Sequence, residues 1–139
     1  MIGFRMSQIK VEQFAILCDT QPDGEIGFNT SLSFGFNPIK SEIIVTTKYE
    51  LMQTDKKMVI LELSCLFEIR KEDWDSLKND NKITFPKDFL AHLAMHTVGT
   101  ARGVLFSKTE GTVFNQYILP PINVASKILE DITINVSAE

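Results

Sequence analysis

The two histidines lie one helical turn apart and are the residues best spaced for metal chemistry. His92 and His96 are the only histidines in the chain, and Asp88 precedes them by one further turn. Four-residue spacing on a helix places such side chains on one face, where imidazole and carboxylate groups can bind a metal ion. However, the stretch HLAMH lacks the glutamate of the HExxH zinc-protease pattern, and no cysteine or further histidine completes the set. We therefore expect no metal, and interpret the histidines as part of a packed helix interface.

The other reactive residue types form no recognisable catalytic pattern. Cys18 and Cys65 stand alone inside apolar stretches and form no CxxC pair, which predicts buried, reduced thiols in a cytoplasmic protein. No GxGxxG or GxxxxGK[ST] motif occurs, and no motif groups serine, histidine and aspartate. Glu62 and Glu68 share a predicted strand face, where solvated carboxylates are the simpler interpretation. We therefore expect no enzymatic activity and no cofactor.

Composition favours one soluble globular domain spanning residues 1–139. The chain has 44% hydrophobic residues and a net charge of −4, and its mean hydropathy is +0.02. It contains no basic cluster, which argues against a nucleic-acid partner. No apolar run approaches the roughly 20 residues of a membrane span, and the N-terminus lacks the apolar core of a signal peptide. We therefore expect no membrane insertion.

The stretch that could position the histidines is a single long helix, predicted over Pro86–Phe106. Its apolar residues recur at three- and four-residue steps and form one stripe: Leu90, Leu93, Ala94, Thr97, Val98, Ala101, Val104 and Leu105. An alternative is that the helix ends near Gly99 and that the glycines are caps.

The opposite side of this helix is poor in charge and rich in small residues. Gly99 and Gly103 each destabilise a helix by about 1 kcal/mol relative to alanine, and their spacing puts both on one ridge where another backbone can approach. This side predicts an oligomer interface formed by His92, Met95, Gly99 and Gly103.

Four strands are predicted before the helix. They cover Gln8–Cys18, Glu25–Phe36, Ile43–Met52 and Met58–Ile69. The second alternates cleanly, with Ile26, Phe28, Leu32, Phe34 and Phe36 on one face. The first is expected to be apolar on both faces in its second half, with Ile9, Val11, Ala15 and Leu17 on one side and Phe14, Ile16 and Cys18 on the other.

The remaining segments are predicted to be short elements and loops. They are turns at Thr20–Gly24 and Thr54–Lys57, a helical turn at Lys71–Lys78, a polar loop at Asn79–Thr84, an αL cap at Gly111, an irregular or extended stretch at Val113–Ile118, a rigid crossing at Leu119–Val124, a last helix at Val124–Asp131 capped by Asn123, and a loose tail at Thr133–Glu139. The predicted fold is α+β: a four-stranded antiparallel sheet followed by a short and a long helix packed on one face. Long unprotected strand edges and a two-sided helix together predict an oligomer.

In this order of elements the chain resembles the SecB family of export chaperones. The local match is best over Phe89–Val124, FLAHLAMHTVGTARGVLFSKTEGTVFNQYILPPINV, where Leu119, Pro121 and Asn123 match the family's LxPxN/D signature. Strand order and lengths extend the resemblance over most of residues 8–132. The resemblance implies a homotetramer that holds unfolded or precursor polypeptides in hydrophobic grooves, either before protein transport or, in some relatives, to protect an antitoxin.

The outer sheet face departs from the export chaperones, which are strongly acidic and dock the SecA motor there. Here that face mixes both charges: Lys10, Lys48, Glu12, Glu50, Glu62 and Glu68. SecA as a partner is therefore doubtful. A general holdase, a dedicated adaptor for one partner such as an antitoxin, and a small-ligand-binding protein remain the competing interpretations.

Aromatic residues supply the candidate client-binding groove, expected between the sheet edge and the segment after the long helix. The chain has 10 phenylalanines against one tryptophan. The candidates are Phe28, Phe36, Phe106, Phe114 and Tyr117. Each of them taken singly is more often ordinary core, but a groove requires only a few.

Overall fold

The computed structural model describes residues 1–18, 22–120 and 122–136, and within these ranges the chain forms two antiparallel sheets and two α-helices. The main sheet has the strand order β1-β4-β3-β2. Its strands are β1 (Phe4–Ile16), β2 (Gly27–Asn37), β3 (Glu42–Gln53) and β4 (Lys56–Ile69). The predicted α+β architecture is confirmed. Within the predicted turn at Thr20–Gly24, Thr20 and Gln21 lie outside the described residues.

β1 begins four residues earlier than predicted, and the assignment of its faces was wrong. Its pairing with β4 shifts register between Met6 and Gln8 and again between Val11 and Gln13. Each bulge inserts one residue and so exchanges the faces of the residues that follow it. As a result one face collects the apolar side chains of all three segments: Phe4, Met6, Ile9, Val11, Phe14 and Ile16, opposite Ile69, Phe67, Cys65, Leu63, Leu61 and Val59.

The predicted long helix is α2 (Lys87–Lys108), which runs uninterrupted through both glycines. The alternative that it ends near Gly99 is therefore wrong. The predicted stripe packs on the sheet, and all of it is buried except Val104, which is half-buried. Pro86 occupies the N-cap position with extended backbone rather than the first helical position. A short helix, α1 (Lys71–Ser76), carries the buried Trp74.

A small second sheet replaces the polar loop and much of the loose tail that were predicted. It has the order β5-β6-β7, with strands β5 (Lys78–Asn79), β6 (Lys82–Phe85) and β7 (Ile132–Asn135). Ile83 and Phe85 are fully buried, and Ile83 lies opposite Ile134 of β7. Both predictions were wrong over these strands, because this pairing joins segments about fifty residues apart, which a local pattern does not reveal. Residues 137–139 of the predicted tail lie outside the described residues.

The segment after α2 crosses the sheet with little regular structure. Gly111 adopts the expected left-handed conformation with φ of 79°. The residues predicted as irregular or extended contain a 3₁₀ turn, Val113–Gln116, in which the Thr112 hydroxyl accepts from the Phe114 backbone amide. The predicted helix Val124–Asp131 is wrong: only Val124–Ser126 forms a 3₁₀ turn, and the Asn123 side chain makes no capping bond. So short a helix is marginal by itself, and the chain must extend again to enter β7.

Candidate functional site

The inner face of β2 is a row of half-buried side chains at the edge of the main sheet. Phe28, Thr30, Leu32, Phe34 and Phe36 lie opposite Leu51, Tyr49, Thr47, Val45 and Ile43 of β3, all of which are buried. The predicted alternation in β2 is therefore confirmed. The β3 residues are covered by α2 and by the chain that follows it, whereas the β2 residues lie one strand further out. This position leaves a long apolar strip partly accessible to solvent.

The second wall of this strip is the crossing segment, which we define as residues 112–120 and 122–131. It is tied to α2 by hydrogen bonds from Arg102 Nε to the Leu119 carbonyl oxygen at 2.9 Å and from Asn115 Nδ2 to the Phe106 carbonyl oxygen at 2.8 Å. We call the boundary between the inner face of β2 and this segment the β2 seam. The rigid crossing predicted at Leu119–Val124 contributes Ile122 and Val124 to it, while Pro121 lies outside the described residues.

Two small cavities lie along the β2 seam. The first is lined by Phe28, Tyr49, Leu51, Val59, Leu105, Thr109, Phe114 and Tyr117. The second is lined by Thr30, Ser31, Leu32, Thr47, Val98, Ile122, Val124 and Lys127. Each has a volume of only about 10 Å³, close to the minimum that holds one water molecule. In this structure neither cavity is large enough to hold an apolar side chain of a client.

The five predicted groove residues are divided among three places. Phe28, Phe114 and Tyr117 line the first cavity together. Phe106 follows Leu105 of the cavity wall but points away from it and is 49% exposed. Phe36 lies eight residues along β2 from Phe28, about 26 Å in an extended strand, and its ring stacks on Phe85 at 4.9 Å.

Sequence reasoning did not identify Tyr49 or Ile122 as part of this site. Ile122 lay in a stretch interpreted only as a rigid crossing, and Tyr49 in the third predicted strand, to which no site was assigned. No local signal distinguishes them, because both reach the seam only through the packing of the crossing segment against β2 and β3.

The side of α2 predicted to be an oligomer interface is exposed in the single chain. His92, Met95, Gly99 and Gly103 are all exposed, and Met95 is 60% exposed. Among the described residues, a Cβ added at either glycine would meet no atom within 4 Å. Ile9 and Val11 of β1, also exposed, lie on the same side of the sheet. We call this surface, with its β1 and α2 residues, the β1–α2 face.

The two histidines form a pair at one end of this face. Their Nε2 atoms are 3.4 Å apart, and the Phe4 ring packs against both imidazoles, with centroid distances of 5.5 Å to His92 and 5.7 Å to His96. Across residues 1–18, 22–120 and 122–136, no group of three or more histidine, cysteine or acidic side chains is arranged to hold a metal ion. In this structure the pair packs against Phe4 and is otherwise exposed.

Burial and ion pairing set the ionisation of the groups that sequence reasoning singled out. Burial raises the pKa of the Cys65 thiol, partly offset by nearby Thr97, so Cys65 is a neutral buried thiol as expected. Cys18 is only half-buried, contrary to expectation, and its sulfur lies 3.8 Å from Lys56 Nζ. The Arg5 guanidinium bonds Glu68 at 2.8 Å and lowers the pKa of that carboxyl. Glu68 is thus part of an exposed ion pair.

Comparison with known proteins identifies the architecture. No family model matches the chain, and no curated protein matches it by sequence. A solved structure does: a SecB-like chaperone of Mycobacterium tuberculosis in complex with a ChAD peptide from the HigA1 antitoxin. The match covers 86% of this chain and 90% of that one, with 11% identity and a TM-score of 0.54. The chain therefore has the SecB-like fold. As a separate finding, in the described residues no helix is long and apolar enough to cross a membrane.

Proposed function

We propose that the protein is a non-enzymatic chaperone that binds unfolded or precursor polypeptides along the β2 seam. The observation that carries the proposal is the row of half-buried side chains on an edge strand, from Phe28 to Phe36. The part from Phe28 to Leu32 borders the crossing segment, which has little regular structure. The similar M. tuberculosis protein is a chaperone solved with a bound peptide, which supports a polypeptide as the occupant of this fold.

The residues of the seam are of the kind that bind many sequences. Burial of apolar surface is non-directional, and fully burying one side chain of this size contributes about 1.5–3 kcal/mol. Three or four such contacts total roughly 5–12 kcal/mol, from which the ordering of a disordered client must be subtracted. The net result is a useful but reversible affinity, as holding an unfolded chain requires.

We further propose that a second copy covers the β1–α2 face and that the protein assembles as a homotetramer. The face joins the exposed Met95 and the Gly99/Gly103 ridge of α2 to Ile9 and Val11 of β1. Small residues on a helix allow the backbone of another element to approach closely. The remaining candidate, Phe106, lies on the same side of α2 as the glycines, near the seam end of the helix, and we assign it to client binding at the mouth of the seam.

Two versions of this function differ in the breadth of clients. A general holdase binds several unrelated unfolded proteins, whereas a dedicated chaperone binds one partner, as the antitoxin peptide of the similar protein illustrates. Protein transport through SecA is not required by either version. We place the protein in the cytoplasm in both, which accords with the buried thiol of Cys65.

The test combines solution mass with suppression of aggregation. Light scattering should give a mass above the 15.7 kDa of the single chain, and the protein should suppress aggregation of at least one unfolded protein at stoichiometric ratios. Phe28→Ser should weaken suppression, and Ile39→Ser, which alters an exposed apolar residue in the turn after β2, serves as the matched control. A protein that binds none of a panel of unfolded proteins and antitoxin-type peptides would refute the proposal.

A further inference from the structure

The β2 seam is bordered by two basic side chains, Arg102 of α2 and Lys127 of the crossing segment. Lys127 is exposed and lines the second cavity together with Leu32 and Ile122. Arg102 is half-buried, and its Nε donates to the Leu119 carbonyl oxygen of the crossing segment at 2.9 Å. The two side chains place positive charge along the seam of a chain whose net charge is −4.

Neither basic side chain is paired with a carboxylate of the residues that the structure describes. The ion pairs among these residues include neither Arg102 nor Lys127. No acidic side chain lines either cavity. The acidic residues of the crossing segment, Glu130 and Asp131, lie near its end, and Asp131 accepts a hydrogen bond from the Lys87 backbone amide at 2.8 Å. A carboxylate of a client would therefore meet no competing internal carboxylate at the seam.

The bond to Leu119 orients the Arg102 guanidinium and leaves its terminal edge unoccupied. A guanidinium has five N–H donors in a planar fork, and among the described residues only Nε of Arg102 has a protein partner. The two Nη atoms can therefore form a bidentate pair with a carboxylate. The guanidinium also lies close to the first cavity: burial raises the pKa of Tyr49 in its wall, and the hydrogen bond with Thr47 and the charge of Arg102 oppose that rise.

We infer that the β2 seam selects polypeptide segments in which an acidic side chain is flanked by apolar ones, with Arg102 as the specificity-determining residue that pairs with the carboxylate. The inference rests on the proposed function and deepens it by naming a class of client. Burial of apolar surface alone does not distinguish clients by charge, whereas a half-buried guanidinium favours a carboxylate over a neutral or basic group. Lys127, being exposed, adds a weaker attraction that salt screens. Because Arg102 is partly accessible, this contact requires no enlargement of the two cavities.

The test uses labelled peptides of one apolar sequence that carry glutamate, glutamine or lysine at the centre, with affinity measured by fluorescence anisotropy. We expect the wild-type protein to bind the glutamate peptide about tenfold more tightly than the glutamine peptide, equivalent to about 1.4 kcal/mol, and the lysine peptide most weakly. Arg102→Gln should remove most of this preference, whereas Arg102→Lys, which keeps the charge without the planar fork, should retain part of it. The preference is a ratio within one variant, so a change in packing that affects all peptides alike cancels.

The matched control removes the same charge from the small sheet. Lys82 of β6 is exposed, so Lys82→Gln should leave the preference for the glutamate peptide unchanged. An equal loss of preference in Lys82→Gln and Arg102→Gln would attribute it to net charge and overturn the inference. Equal affinity of the wild-type protein for all the peptides, or an undiminished preference in Arg102→Gln, would also overturn it and leave the proposed chaperone function intact. Failure to bind any of these peptides while unfolded proteins are still held would count against the inference alone, whereas failure to bind either would refute the proposed function.

Discussion

Ile9 and Cys65 lie directly opposite each other across the β1–β4 ladder, yet Ile9 is 52% exposed and Cys65 is fully buried. The two side chains are on the same face of the sheet. The difference arises because α2 packs over β4 and β3 and meets the edge strand β1 at Phe4, which leaves Ile9 half-exposed. Exposed apolar side chains of β1 thus lie beside the uncharged Gly99/Gly103 ridge of α2. This apolar surface is the physical basis for expecting a second copy here.

The Gly99/Gly103 ridge gives a direct test of this assembly. In the single chain a Cβ at Gly103 meets no described atom within 4 Å, so Gly103→Ala should stabilise the helix by about 1 kcal/mol. Gly103→Leu should also favour the helix, but its longer side chain should clash with the second copy and reduce the solution mass. Light scattering of both variants at micromolar concentration measures the outcome. If Gly103→Leu assembles normally and unfolds later than wild type, the ridge faces solvent.

The histidine pair should carry no resident metal. Two imidazoles with Nε2 atoms 3.4 Å apart leave most coordination positions without a protein ligand. Elemental analysis of protein purified without an affinity tag should therefore find no stoichiometric zinc, copper or nickel. Stoichiometric metal that disappears in His92→Ala would contradict this prediction and assign the pair a second role.

Substitutions at the two ends of the β2 seam should differ in how their effect on client affinity depends on the length of the client. Phe28 and Tyr117 share one cavity, while Phe36 stacks on Phe85 about eight residues further along β2. Tyr117→Ser should weaken binding of short peptides and of long unfolded chains by about tenfold, roughly one lost apolar contact. Phe36→Ser should affect only clients long enough to span about 26 Å.

Fluorescence anisotropy with labelled peptides of increasing length measures this dependence. Phe106→Ser provides a further comparison, because its exposed ring lies outside the cavity. Full affinity in both Phe106→Ser and Tyr117→Ser, with folding and assembly intact, would place the groove elsewhere.

The free energy of unfolding should decrease at alkaline pH because the Cys65 thiol is buried. Burial raises the pKa of Cys65 above the ordinary value of 9.0. The folded state then binds more protons than the unfolded state at high pH, so this contribution is fully present below pH 9 and declines as the pH rises toward the folded pKa. Urea unfolding between pH 8 and about pH 10.5 should show this decline, and Cys65→Ala should reduce its slope whatever its effect on the baseline stability. An identical slope in the variant would show that other groups dominate.

Local periodicity in the sequence was sufficient to predict β2, β3, β4 and α2. In β2, phenylalanine alternates with small polar residues, and in α2 the apolar residues recur every three or four positions. Each pattern therefore indicates which face of its element is buried. Periodicity did not decide the groove: the prediction grouped Phe28, Phe36, Phe106, Phe114 and Tyr117, and only three of them line one cavity.

Tertiary structure decided what periodicity could not. The bulges of β1 are set by pairing with β4, and they exchange its faces twice, so a regular alternation assigns Ile9 and Phe14 to opposite sides although they share one. β6 and β7 form only when the tail returns to cover Ile83 and Phe85. The cavity that joins Phe28, Leu105 and Tyr117 likewise depends on the packing of three separate segments. A sequence pattern specifies which way a side chain points within its own element, whereas contacts between distant segments decide what it meets there.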